Sequence, residues 1–154
     1  MKFNFQAFSA IYLHEMDRFR RTLMQSLFSP VLSTSLYFIV FGSVIGGYVE
    51  NIDGISYGSY IVPGLLMLTL LTQSISNTSF GIFFPKFNGT IYEILAAPIS
   101  SFEIVLAFVS AGATKTLIVG IVIFTTSLFF VDVEVQFPFL MCFLLVLVAF
   151  TFAL

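Results

Sequence analysis

Residues 60–84 read YIVPGLLMLTLLTQSISNTSFGIFF, with no charged side chain among them. A helix needs about 20 mostly apolar residues to cross the hydrocarbon core of a bilayer, so this stretch alone predicts a membrane span. Three more runs lie around it. One extends from about Leu27 to Tyr48, one occupies 104–131 within Phe102–Val131, and one begins near Phe137 and is still apolar at Leu154. In lipid every backbone amide must find its partner inside its own segment, which helices achieve. The expected fold class is therefore all-α integral membrane, a single domain over 1–154 with spans at 27–48, 60–84, 104–131 and 137–154. No charge, Gly or Pro marks an end to the fourth run, so a truncated last span is expected.

Composition agrees with lipid as the solvent. Of 154 residues, 58% are hydrophobic and 9% charged, whereas soluble domains carry about 25% charged residues. The 21 phenylalanines outnumber the 6 basic and 8 acidic residues together, too few charges to cover a water-facing surface. A nucleic-acid binder needs a basic face, which six Lys and Arg cannot supply, so no nucleic-acid partner is expected. Cys142 is the single cysteine and lies in an apolar run, which excludes an internal disulfide and a zinc cluster. The first 25 residues hold no continuous apolar core, so the N-terminus does not read as a cleavable signal peptide.

Residues 5–23 predict an amphipathic helix. Phe5, Phe8, Tyr12, Met16, Phe19 and Leu23 recur at steps of three and four, while His14, Asp17, Arg18 and Arg21 fall opposite. Such a helix suits the membrane interface, with its basic residues toward anionic headgroups. Orientation follows from where Lys and Arg sit in short loops. Lys2, Arg18, Arg20 and Arg21 cluster at the N-terminus and Lys86 lies after the second span, whereas the segments holding Glu50 and Asp53, or Asp132 and Glu134, have no basic residue. The N-terminus and the 85–101 loop are thus expected in the cytoplasm and both acidic loops outside.

No catalytic constellation appears. Lys115-Thr116 resembles the end of a phosphate-binding loop, but Val109 and Thr114 stand where that loop needs glycines. His14 has no neighbours suited to catalysis or metal binding and reads as a solvated side chain. Lys115 lies inside the third run. Charge there is costly, and a position within one turn of the inner interface favours snorkelling or a local ion pair over a role in transport. In the second span Thr69, Gln73, Ser76 and Asn77 form a polar stripe. Unpartnered amides in lipid cost several kcal/mol, so the stripe is expected to face protein or water, as interhelical hydrogen bonds or as the lining of a substrate path. Gly42 with Gly46, and Gly112 with Thr116 and Gly120, have the spacing of closely packed helices.

Residues 85–98, PKFNGTIYEILAAP, are the most distinctive stretch. Thr90 followed three residues later by Glu93 fits a capping box. Ile91, Ile94 and Leu95 then share one face of a helix of about two turns, which Pro98 ends. A free helix that short is marginal in water, so it is expected to dock on the protein or on a partner.

The order of these features resembles the ABC type-2 transporter permeases across the whole chain. The residues that carry the resemblance are the basic amphipathic N-terminus, Leu36–Gly42, the Val62-Pro63-Gly64 run, and Gly89-Thr90 through Glu93-Ile94-Leu95 to Ala97-Pro98-Ile99. The resemblance implies six membrane helices, a homodimer, and a separate ATPase subunit that holds ATP and Mg, with no cofactor and no catalysis in this chain. It further implies that the 85–98 loop, with Thr90, Ile91, Glu93, Ile94, Leu95 and Pro98, is the helix that couples to the ATPase, and that the protein resides in a bacterial inner membrane. A membrane scaffold subunit, or a channel or secondary carrier, is the alternative. A carrier usually shows ionisable groups deep in its spans.

Overall fold

The computed structural model describes residues 4–45, 57–130 and 138–154. Lys2, Gly46, Val131 and the four acidic residues Glu50, Asp53, Asp132 and Glu134 lie outside the described residues. Within them the chain is helical: α1 (Phe5–Arg21), α2 (Leu23–Tyr37) running into a π-helical stretch (Phe38–Ile45), α3 (Tyr57–Phe87), α4 (Ile91–Ala96), α5 (Ser101–Phe130) and α6 (Pro138–Ala153). At 1.5 Å per residue, α3 and α5 are each about 45 Å long, well over the roughly 30 Å of bilayer hydrocarbon. Among the described residues, three helices are long and apolar enough to cross a membrane, over Leu23–Phe41, Ser59–Phe87 and Ser101–Phe130, and α6 is a shorter apolar helix. Large apolar side chains face outward, with Phe129 85% and Phe139 88% exposed. A water-soluble monomer does not bare that much apolar surface.

The core is built around α5, which buries Ala107, Phe108, Val109, Ala111, Ala113, Val119 and Ile123. Small residues decide its close approaches. A Cβ at Gly112 would run into the Thr78 side chain, and one at Gly120 would come within 2.6 Å of Leu70 Cδ2. Gly81 in turn faces Phe108. Going up α5, these partners step down α3 by about as many residues, so the two helices are antiparallel. Helix α6 joins through Ala149 and Ala153, which pack with Val109 and Ala113, and the Ser74 hydroxyl donates to the Ala149 carbonyl at 2.7 Å.

Only Thr22 separates α1 from α2, and its amide still donates back to the Arg18 and Phe19 carbonyls. The two helices are therefore nearly continuous. Asn4 meets Glu103, Tyr12 meets Thr114 and Glu15 meets Lys115, so α1 runs beside the first half of α5 in the same direction. Helical periodicity puts Phe5, Phe8, Tyr12, Met16, Phe19 and Leu23 on one apolar face. The structure buries Phe19 and Glu15 but leaves Phe5 69% exposed. Phe8, Tyr12 and Met16 are half-buried on the same side, and Glu15 is buried among them because its carboxylate has its partner on α5.

Pro85 also departs from expectation. It lies inside α3, not at the helix end, and is buried. The helix continues to Phe87 and turns at Gly89, whose φ of 78° lies in the left-handed region that a side chain disfavours.

Candidate functional site

Gly89 lets α4 leave α3 abruptly, and Ala97 returns to extended backbone before α5 begins. The six residues of α4 therefore stand at the tip between the two longest helices. Ile91 and Ile94 are half-buried, while Tyr92 is 72% and Leu95 59% exposed, with Glu93 and Pro98 also exposed. Phe87 at the end of α3 adds further exposed apolar surface next to the turn. The apolar face offered outward is therefore Tyr92 and Leu95. Tyr92 was legible as an aromatic one step from Ile91, but its outward direction depends on how α4 is hung from Gly89.

The capping box does not form. Thr90 has helical backbone angles (φ −65°, ψ −16°) and makes no side-chain hydrogen bond to the start of α4, whereas a capping residue needs extended backbone. Its hydroxyl donates instead to the Pro85 carbonyl at 3.4 Å, one of the orphan acceptors in the last turn of α3. Thr90 thus finishes α3 rather than starting α4.

The span-two stripe is divided by the packing. Asn77 reaches another helix, its Nδ2 donating to Thr116 Oγ1 at 3.5 Å, while the Thr69 hydroxyl bonds its own helix at the Leu65 carbonyl. Gln73 is half-buried and Ser76 exposed. The hydroxyls held in the core are the neighbouring Ser74 and Thr78. Thr78 Oγ1 is buried without a hydrogen-bond partner, at the place where Gly112 lets the helices touch.

The strongest polar feature was not legible along the chain. Lys115 is 4% and Glu15 2% exposed, and Lys115 Nζ donates to Glu15 Oε2 at 2.7 Å. Lys115 is therefore ion-paired inside the protein and does not snorkel to water. Arg18 donates to the same carboxylate oxygen at 2.7 Å and lays its guanidinium over the Phe84 ring, 5.9 Å from the centroid. Nothing local marks Glu15 as special, since it sits in a run of charged residues and its partner is 100 positions away. At the far end of α1, Glu103 accepts from the Asn4 amide at 2.6 Å and from the Ser100 amide at 2.9 Å. Among the described residues, no three His, Cys, Asp or Glu come close enough to hold a metal.

Comparison with known proteins fits this arrangement. The model of the ABC-2 type transporter family matches residues 6–154. The inner membrane transport permease YadH of Escherichia coli K12 is 38% identical over 148 residues, covering 96% of this chain and 58% of YadH. YadH of Shigella flexneri matches to the same extent. The chain therefore spans 58% of the length of the curated relatives it matches. No solved structure matches it. An all-helical chain with membrane-length apolar helices, a small exposed helix between the two longest, and a family match over nearly its whole length belongs to the ABC-2 type transporter family.

Proposed function

We propose that this chain is the membrane-spanning permease part of an ATP-driven exporter, and that α4 docks on a separate ATPase subunit and passes its motion to α3 and α5. ATP and Mg are then bound by the partner. The observation behind this reading is the exposed apolar pair Tyr92 and Leu95 on a six-residue helix. A helix this short has little stability of its own, and its outward apolar face favours a protein surface as its cover. Ile91 and Ile94 hold the helix to the bundle side, while Glu93 and Pro98 border the docking face and Thr90 fastens the turn. The Arg18, Arg20 and Arg21 cluster supports a cytoplasmic N-terminus in the inner membrane, which puts α4 on the side where ATP is available. Gln73 and Ser76, with Thr69 and Asn77 beside them, offer a polar face to a substrate path completed by a second copy.

Burying a leucine stabilises an interface by roughly 1.5–3 kcal/mol. In the full-length protein co-expressed with its ATPase, Leu95→Asp or Tyr92→Asp should abolish co-purification from membranes while insertion stays normal. Ile94→Asp should do so less selectively, because Ile94 is also half-buried against the bundle. Wild-type recovery of ATPase with both outward variants would overturn the assignment of α4.

A further inference from the structure

Helix α3 carries a second face that its packing in the bundle does not use. Leu70, Ser74, Thr78, Gly81 and Pro85 lie on one side and are all buried, the first four against α5 or α6. Thr69, Gln73, Ser76, Phe80, Phe83 and Phe87 form a separate row centred roughly 140° away around the helix. Their alternating steps of four and three are the spacing that lays one helix along another. The two halves of this row differ. The first three residues are neutral and polar, and the last three are phenylalanines, 59%, 60% and 77% exposed. The rings are already ordered. Phe80 stacks on Phe84 with centroids 5.9 Å apart and Phe83 on Phe87 at 6.1 Å, so little side-chain freedom is left to lose on docking. The aromatic half lies toward α4, roughly 6–16 Å beyond Ser76 along the helix.

We infer that Phe80, Phe83 and Phe87 meet their counterparts on a second copy of the chain and close the substrate path at its α4 end, below the polar wall of Gln73 and Ser76. This rests on the reading of that stripe as a path completed by a second copy. The row holds no charge, and Lys86 stands one residue off it, so identical residues can face each other across a two-fold axis without repulsion. Lipid tails pack on any apolar surface and need no such register. Size also fits. At about 200 Å² for a phenylalanine side chain, the exposed part of the three rings is roughly 400 Å² per copy, or about 800 Å² for the pair. Obligate dimers bury more than about 2,000 Å² and transient contacts less than about 1,200 Å². The aromatic contact therefore has the size of one that opens and recloses, as a gate within a dimer must.

Disulfide cross-linking of the full-length protein in membranes, in a cysteine-free background, tests the contact. A disulfide needs Cα atoms within about 7 Å. Phe80→Cys and Phe83→Cys should form linked dimers at least several-fold faster than Ile75→Cys and Ile82→Cys, which are exposed on the far side of α3. No ATPase is required, so the result is independent of the role proposed for α4. Closure is read as escape of carboxyfluorescein from sealed proteoliposomes without ATP. Phe80→Ser combined with Phe83→Ser should raise escape several-fold, while Ile75→Ser combined with Ile82→Ser should leave it at the wild-type rate and so controls for folding. Ser76→Cys, labelled by a water-soluble maleimide, reports the path itself. Labelling of Ser76→Cys without cross-links at Phe80 and Phe83 would overturn the gate and spare the path. Cross-linking at Ile75 and Ile82 as fast as at the phenylalanines would overturn it too. Cross-links in the expected pattern with unchanged escape would reduce the row to a dimer contact and overturn its role in closure.

Discussion

The polar groups of α3 and those at the α1–α5 contact are handled in opposite ways. Lys115 carries a full charge about 21 Å along α5, and it is enclosed with a counter-ion brought from another helix. Gln73 and Ser76 are neutral, and they are left at or near the surface of the described helices. The ordering follows from desolvation. A buried charge without a partner costs far more than an amide or hydroxyl without one. The ion must therefore be satisfied within the fold, while the neutral stripe can be left at its surface.

Three measurements would break or sharpen that contrast, beginning with the largest effect. Lys115→Met alone leaves the buried Glu15 carboxylate with Arg18 as its cation and should destabilise the full-length protein by up to about 3 kcal/mol, the loss of a hydrogen bond between charged groups, read from reversible unfolding in mixed micelles. Combining it with Glu15→Gln should recover much of that loss, since both buried charges are then gone and Arg18, whose side chain is 26% exposed, can reach water. If the double variant is as unstable as the single one, the pair matters through packing and the charge argument fails. Next in size is the crossing of α3 and α5. Gly112→Ala places a methyl against Thr78 and should cost about 1–3 kcal/mol. Adding Thr78→Ala should relieve most of it, because the hydroxyl it removes has no partner to lose. Failure of that rescue would move the clash to the backbone. The smallest effects belong to the stripe. Asn77→Ala should cost about 0.6 kcal/mol, typical of a hydrogen bond between membrane helices, and Gln73→Leu less than about 0.5 kcal/mol. A loss above 1 kcal/mol for Gln73→Leu would show that the stripe is bonded to a helix and is not open.

The membrane class and the helical character were readable from hydropathy and length, because a bilayer imposes one strong condition on every span. The outward direction of α4 was only half readable. Ile91, Ile94 and Leu95 share a sequence-derived face, but the turn at Gly89 and the passage of α3 through Pro85 rotate that face so that Tyr92 and Leu95 point away. Thr90 and Glu93 matched a capping pattern that backbone geometry then refused. Lys115 was visible as a charge in an apolar run, yet its partner was not, since periodicity reports only neighbours on the same helix. The same limit hid the inward turn of α1, whose buried carboxylate interrupts an otherwise apolar face.

The 100 residues between Glu15 and Lys115 also have a meaning in time. A ribosome adds roughly 5–20 residues per second, so Lys115 is made about 5–20 s after Glu15. Throughout that interval the carboxylate already has a cation within reach, because Arg18 is one turn along the same helix and contacts the same oxygen. Arg18 can hold the carboxylate from the moment α1 coils, and Lys115 joins an occupied acceptor when α5 arrives. The i,i+3 pair is thus a temporary companion during synthesis and a permanent one in the finished protein.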